Sequence, residues 1–245
     1  MKKKVFVFTV LIALLGAGCS DKNGDTHELQ QENTWVQTFA RHDPAKWEMS
    51  TGYSNGDPFD CVWSADNIHF NGSTMELMLT KNDTGNIQGS EYKTLDTYHY
   101  GKYEVRMKAA KNTGIVSSFF VYTGPPFGTP WDEIDIEFLG KDTTQVQLNY
   151  YTDGVGNHEK LIDLGYDASE EFHDYAFEWT KEEINWYIDG KLVHTATADI
   201  PVTPAKIMMN LWNGTGVDSW LGPYDGASPI TAEYEWMKYT PYPEE

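Results

Sequence analysis

Between positions 131 and 139 the chain reads Trp-Asp-Glu-Ile-Asp-Ile-Glu-Phe-Leu. Acidic and apolar residues alternate there with the period of a β-strand that buries one face. Ile134, Ile136 and Phe138 then turn to the core, and Glu133, Asp135 and Glu137 form a row on the opposite face. Like charges in such a row repel one another and make weak structural design. What the row can do is acid–base chemistry or cation binding. Glycoside hydrolysis needs two carboxyl groups, one ionised and one protonated. The Cα atoms of Glu133 and Glu137 stand about 13 Å apart at ~3.3 Å per residue. Side chains leaning together over a concave sheet would close the carboxyl gap to about 5–5.5 Å, the separation used for retention of configuration. Asp135 lies between them, placed to hydrogen-bond one Glu and, by its charge, to keep the other protonated near neutral pH. A calcium site is the alternative, but Ca²⁺ takes roughly six to eight oxygens, usually from a loop, and a straight strand supplies one side only. An exposed acidic face is the remaining alternative.

Two other runs share this two-faced character. In residues 145–151, Val146, Leu148 and Tyr150 oppose Gln145, Gln147, Asn149 and Tyr151. In residues 206–213, Ile207, Met209 and Leu211 oppose Met208, Asn210 and Trp212. Amides satisfy sugar hydroxyls in pairs, and flat rings stack on the C–H face of a pyranose. Any one of these residues is ordinary on a surface; beside the acidic row they read as the lining of a sugar cleft. Other chemistries lack their motifs. The chain has no phosphate-binding loop, no His-Glu-x-x-His, no Gly-x-Ser-x-Gly and no Cys pair at metal spacing. His158-Glu159 has no second His to complete a ligand pair and reads as a loop.

These side chains need sheets to position them, and the remaining sequence supplies strands. Period-two runs bounded by Gly, Asn, Asp and Pro recur from residue 67 onward. Residues 67–70 and 75–80 flank Asn71-Gly72, a hairpin signature. Residues 102–108 and 115–122 flank Lys111-Asn112-Thr113-Gly114, and residues 183–188 and 191–197 flank Asp189-Gly190. Further strands are expected at 131–139, 144–151, 173–179, 206–213 and 232–239, with one short helical turn at 167–172. Many short strands and few helices predict an all-β, two-sheet antiparallel sandwich or jelly roll.

Composition agrees. The chain has 245 residues, and its 21 Gly and 11 Pro are close to average usage, which excludes collagen-like and coiled-coil classes. The length fits one domain with a core that needs no staples. Aromatics reach 14%, with nine Trp and fifteen Tyr, more than a core of this size requires. Residues 1–18 read as a signal peptide: Lys2, Lys3 and Lys4, an apolar stretch over 5–15, then Gly16-Ala17-Gly18. The apolar stretch is too short to span a bilayer. The net charge is −19, and loss of those three lysines leaves 15 cations against 37 anions. A polyanion of this density repels nucleic acid and acidic polysaccharides, and leaves neutral polysaccharides as partners. Residues 14–19, Leu-Leu-Gly-Ala-Gly-Cys, resemble a bacterial lipobox, except that Gly16 stands where Leu is usual. The likeness implies lipidation at Cys19 and an exported, membrane-anchored protein that touches the membrane only through that anchor; the alternative is plain secretion. Residues 19–34 are then a flexible tether, 35–240 the domain and 241–245 a C-terminal tail. With Cys19 acylated or removed, Cys61 has no partner for an intrachain disulfide. A monomer is expected.

Residues 131–142, WDEIDIEFLGKD, closely resemble the signature of bacterial lichenases, the endo-β-1,3-1,4-glucanases of glycoside hydrolase family 16. The likeness continues through Asn112-Thr113-Gly114-Ile115-Val116-Ser117-Ser118-Phe119-Phe120, Asn149-Tyr150-Tyr151 and the run 207–216, and covers about residues 47–240. It implies a concanavalin-like jelly roll with a concave substrate cleft, and no cofactor for catalysis. It also implies that Glu133 is the nucleophile, Glu137 the general acid/base and Asp135 the assisting carboxylate. Asn55, Glu91, Phe120, Tyr122, Trp131, Asn149, Tyr151, Asn210 and Trp212 match positions that line sugar subsites. The compact Glu-x-Asp-x-Glu lacks the extra residue that bulges many laminarinases, which favours mixed-linkage β-glucan over pure β-1,3-glucan as substrate. A non-catalytic carbohydrate-binding module would keep the rings and amides and lose the acids. Three positions depart from the family pattern. Lys93 stands where an Arg usually accompanies Glu91, so a point charge replaces a fork. The cysteine that would pair with Cys61, near Gly89, is absent, which implies a looser 80–94 loop over the cleft. Glu235 stands where many relatives carry an Asp that binds a structural Ca²⁺.

Overall fold

The computed structural model describes residues 34–243. The signal peptide, Cys19 and all but the last residue of the tether lie outside the described residues. The strands are β1 (Trp35–Thr38), β2 (Trp47–Met49), β3 (Val62–Trp63), β4 (Ile68–Phe70), β5 (Met75–Lys81), β6 (Ile87–Thr94), β7 (Gly101–Lys108) and β8 (Ile115–Thr123). There follow β9 (Asp132–Leu139), β10 (Gln145–Tyr151), β11 (Lys160–Asp163), β12 (His173–Trp179), β13 (Ile184–Ile188), β14 (Lys191–Ala196), β15 (Lys206–Asn213) and β16 (Ile230–Pro241). A one-turn helix α1 (Asp218–Leu221) precedes β16.

One sheet runs β11-β10-β9-β8-β15-β6, and a second runs β14-β13-β12-β7-β16-β5. They are continuous at one edge, where Thr80 and Lys81 of β5 pair with Gln88 and Ile87 of β6. Neighbours are antiparallel except β3 beside β6. This is the expected all-β jelly-roll sandwich.

The alternation read from the sequence decides what fills the space between the sheets. Ile134, Ile136 and Phe138 of β9, Val146, Leu148 and Tyr150 of β10, and Ile207, Met209 and Leu211 of β15 are all buried in one core. Each such side chain contributes about 1.5–3 kcal/mol by leaving water. Phe138 meets Tyr175 of the second sheet edge-on at 4.9 Å, and Phe119 lies 6.0 Å from Phe177. Two polar ties cross the same gap: Trp186 Nε1 donates to the Asp135 carbonyl at 3.2 Å, and the Tyr234 hydroxyl donates to the Ser118 carbonyl at 2.9 Å. Buried Trp and Tyr are useful here because each has an apolar body and one donor to place. The first grips the backbone of the acidic row itself, and the second grips β8 at Ser118, the residue paired with Glu137.

Several expectations need correction. The 80–94 segment is not a loop over the cleft; it is mostly β6, which lies between β15 and the short β2 in the first sheet, and its Gly89 to Thr94 portion is buried. The turn 111–114, expected only to separate two strands, carries the chain from β7 in one sheet to β8 in the other. Gly114 is required there: its φ is +78°, and a Cβ would meet the Tyr224 backbone at 2.3 Å. Residues 168–170 form a turn without a helix. β16 continues through Pro241, and Tyr242 N bonds the Tyr100 carbonyl at 3.0 Å, so the first residues of the expected tail pack on the domain.

Candidate active site

Strand register places the functional side chains in adjoining rows on the outer face of the first sheet. Glu133 lies between Tyr151 of β10 and Tyr122 of β8, Asp135 between Asn149 and Phe120, and Glu137 between Gln147 and Ser118. Beyond β8, Met208 and Asn210 of β15 continue the rows, followed by Lys93 and Glu91 of β6. At ~4.8 Å per strand the floor from β10 to β6 is roughly 19 Å across. It lies in an open cavity of about 900 Å³. Every site residue expected from the sequence to act on substrate lines it: Asn55, Glu91, Lys93, Phe120, Tyr122, Trp131, Glu133, Asp135, Glu137, Asn149, Tyr151, Asn210 and Trp212.

The three acids are held in different ways. Trp131 Nε1 donates to Glu133 Oε2 at 2.6 Å, and the same indole stacks on Tyr151 with centroids 4.6 Å apart. Asp135 also hydrogen-bonds Glu133. Glu137 Oε2 accepts from Gln147 Nε2 at 2.7 Å. Burial pushes all three carboxyls above the ordinary range. The Glu137 charge adds to the rise at Glu133, and the Glu159 charge adds to it at Glu137. Asp135 is driven up further by the charges of both glutamates and by its hydrogen bond to Glu133. Glu133 accepts from two donors and Glu137 from one, yet burial and the Glu137 charge leave Glu133 at about 8 against about 7 for Glu137. Two carboxyls that titrate near neutral pH on a shared floor can supply the ionised and the protonated member that glycoside hydrolysis uses.

The β6 end of the floor is a closed polar network. Ser50 Oγ donates to Glu91 Oε1 at 2.5 Å. Lys93 Nζ donates to Ser50 Oγ and the Tyr53 hydroxyl at 2.8 Å each, and reaches Glu91 at 3.3 Å and Glu48 at 3.2 Å. Burial works against the Lys93 charge, yet Tyr53, Glu91 and Glu48 outweigh it and hold the ammonium above its ordinary pKa. Asn210 Oδ1 accepts from Ser118 Oγ at 2.6 Å, and Asn55 Oδ1 accepts from Trp63 Nε1 at 3.0 Å. Asn149 Oδ1 is buried in the cleft with no protein partner, which a ligand hydroxyl would supply.

Sequence reasoning missed several cleft residues. Tyr53, Phe59, Pro126, Phe127, Glu159 and Trp220 also line the cavity. They sit on loops, on the 3₁₀ turn Pro125–Phe127 or on α1, where no alternation marks them. The contact of Phe59 with Trp212, centroids 4.1 Å apart and rings tilted by 36°, joins residues far apart in the chain.

Comparison with known proteins agrees with this geometry. Residues 55–238 match the model of the glycosyl hydrolases family 16. The chain belongs to glycosyl hydrolase family 16. A beta-glucanase of Paenibacillus macerans is 64% identical over 195 residues, covering 79% of this chain and 82% of that protein. The solved Bacillus licheniformis beta-glucanase superposes with a TM-score of 0.84 at 55% identity, covering 85% of this chain and 98% of the other. A beta-1,3-1,4-glucanase (lichenase) from a mouse hindgut metagenome gives 0.83 at 53% identity, covering 85% and 99%.

The departures from the family 16 pattern now have positions. Cys61 is buried and free, and its Sγ lies 2.6 Å from where a Cβ on Gly89 would stand. Glu235 is committed elsewhere: its Oε2 accepts from Arg106 Nε at 2.8 Å, and Arg106 also reaches Asp174 at 2.8 Å. Among the described residues no group of three or more His, Cys, Asp or Glu side chains is placed to hold a metal. The side chains present do not form a calcium shell, and no step of the chemistry below uses one.

Proposed function

We propose that the protein is a retaining endo-glucanase that hydrolyses β-1,4 bonds in mixed-linkage β-1,3-1,4-glucan by double displacement. The observation that carries this reading is the Glu133-Asp135-Glu137 row on the floor of an open cleft lined with amides and rings. Its register with β8 and β10 is unbroken, so the row has no bulge of the kind the laminarinase pattern carries. The name of the mouse hindgut metagenome enzyme, at 53% identity, supports the same substrate, and the relative at 64% is named a beta-glucanase.

In the first step Glu137 protonates the leaving oxygen while Glu133 attacks the anomeric carbon. Trp131 and Asp135, both donating to Glu133, hold it in position and favour its charge. In the second step Glu137, now ionised, takes a proton from water, which releases the sugar from Glu133. Phe120, Tyr122, Trp131, Tyr151 and Trp212 present rings to the sugar faces. Asn55, Glu91, Asn149 and Asn210 meet its hydroxyls, and Lys93 acts by ordering Glu91 and Tyr53. Catalysis needs no cofactor.

The same reading takes residues 1–18 as a signal peptide, 19–34 as a tether lipidated at Cys19, and 35–240 as the catalytic domain of an exported monomer. Mass spectrometry of the mature N-terminus tests the anchor: a start at Ser20 or later, without lipid, overturns it.

Reducing-sugar release on three polymers tests the function. Release from cereal β-glucan, with little from β-1,3-glucan or cellulose-like β-1,4-glucan, is expected. Release mainly from β-1,3-glucan would keep the mechanism and change the substrate. Binding without release from any would reject the catalytic roles.

A further inference from the structure

Glu137 does not stand alone against its one amide neighbour. Gln147, which donates from Nε2 to Glu137 Oε2 at 2.7 Å, accepts at its other end: Trp220 Nε1 donates to Gln147 Oε1 at 3.1 Å. An amide has two nearly isosteric orientations, and only its partners choose between them. An indole nitrogen is a donor and never an acceptor. It can therefore meet only the amide oxygen, which leaves the NH₂ group for the opposite side.

The element that brings Trp220 there is fixed in place. The Trp220 and Leu221 amides both bond the Val217 carbonyl at 2.9 Å, and Leu221 is fully buried. The Trp220 ring lies 6.1 Å from that of Trp212. The helix is thus pinned from beneath while its indole N–H points at Gln147.

We propose that Trp220 is a positioning residue for the acid/base: its indole locks the Gln147 amide so that NH₂, and not the carbonyl oxygen, faces Glu137. This rests on the role given to Glu137 above. The two steps make opposite demands on that group, which must hold a proton in the first and be ionised in the second. An N–H donor stabilises the ionised form. A flipped amide would present an acceptor, hold the proton on Glu137 and slow the second step. The other titratable groups that line this floor with Glu137 are Asp135 and Glu133 on β9, Glu159 from the β10–β11 connection, Tyr151 on β10, Tyr122 on β8, Glu91 and Lys93 on β6, and Tyr53 from the loop before β3. None of them is altered by the variants below.

The test is Trp220→Phe in the full chain, which keeps a ring against Trp212 and removes the N–H. The basic limb of kcat/KM on cereal β-glucan is expected to move to higher pH by about half a unit. With an activated aryl glycoside, the glycosyl-enzyme is expected to accumulate. Gln147→Met should give a similar displacement, and the double variant no more than the larger single one. An even loss of activity at every pH, with the limb unmoved, would reduce Trp220 to a wall of the cleft and overturn the proposal. NMR titration of the isotope-labelled Glu137 carboxyl reads the lock without turnover. A higher titration midpoint in Trp220→Phe supports the proposal, and an identical one overturns it. A wild-type protein that cleaves no β-glucan would reject the assigned function, while the NMR titration would still decide the lock.

Discussion

The acidic row stabilises the reaction and destabilises the fold, and pH separates the two effects. Burial raises Glu133, Asp135 and Glu137 above their ordinary values, whereas the unfolded chain restores those values. Between the ordinary range and the raised values the folded state holds more protons, so stability falls as pH rises through that window. Below the ordinary carboxylate pKa of about 4 both states are protonated and the difference vanishes. Glu133→Gln and Asp135→Asn are therefore expected to raise the Tm at neutral and alkaline pH and to leave it unchanged in acid. Calorimetry at several pH values checks this. Over the same series, Glu133→Gln and Glu137→Gln should lower turnover by about a thousand-fold or more, with the fold intact by circular dichroism; near-wild-type activity in either would reject its role. Lys93 shows the converse case. Its side chain is 8% exposed and that of Glu91 4%, so the pair has little water to fall back on. Lys93→Met would leave Glu91 charged and buried, at a cost of about 3–5 kcal/mol in urea unfolding, with a higher KM for glucan. Unchanged stability would mean that Glu91 takes a proton or finds water instead.

Elements differ in how openly the sequence announces them. β9, β10 and β15 each bury one face and line the cleft with the other, so their alternation exposes both strand and site. β6 is buried along most of its length, and Glu91 and Lys93 neutralise each other within it. A strand with polar residues buried on it has no hydrophobic period, and the segment reads as a loop. β1, β2, β3 and β11 have two to four residues each, too few to show a period. The turn 111–114 has ordinary hairpin chemistry, and nothing local distinguishes closing a hairpin from changing sheets. Within the site the residue types were legible and their partners were not. Trp220 to Gln147 spans 73 positions and Lys93 to Ser50 spans 43, so only the folded sheet brings these pairs together. The lost disulfide is also a property of β6. A Cβ at Gly89 would meet Cys61 Sγ at 2.6 Å, the Leu211 carbonyl at 2.9 Å and the Trp63 ring at 3.1 Å. The carbonyl belongs to the neighbouring strand and cannot swing aside. Gly89→Ala is expected to cost about 1–3 kcal/mol, read as a lower Tm. In the parent protein burial pushes the Cys61 thiol up to about 12, so it should resist thiol reagents until the chain unfolds. Rapid native labelling at Cys61, located by mass spectrometry, would show that the β3–β6 contact opens.

At the scale of the whole molecule, charge and substrate have to be compatible. The chain carries −19, and the cleft is lined by the carboxyls of Glu91, Glu133, Asp135, Glu137 and Glu159 against the single cation Lys93, although burial leaves the three on β9 only partly charged near neutral pH. Lys93 is itself committed to Glu91 and Glu48, so it offers an incoming anion little. The potential at the cleft mouth is therefore negative, and it reaches about 10 Å at moderate ionic strength. A neutral polymer does not sense that field; its affinity comes from rings and amides, whose contacts salt does not screen. Raising NaCl from low to high concentration should change kcat/KM on cereal β-glucan by less than about twofold. A carboxymethylated form of the same glucan meets the field directly. It should be a poor substrate at low salt and improve by about tenfold or more as salt screens the repulsion. Parallel initial rates on the two polymers across a salt series separate electrostatics from shape. If the modified polymer stays poor at every salt concentration, its substituents are excluded by the walls of the cleft, and the molecule's net charge has no part in choosing its substrate.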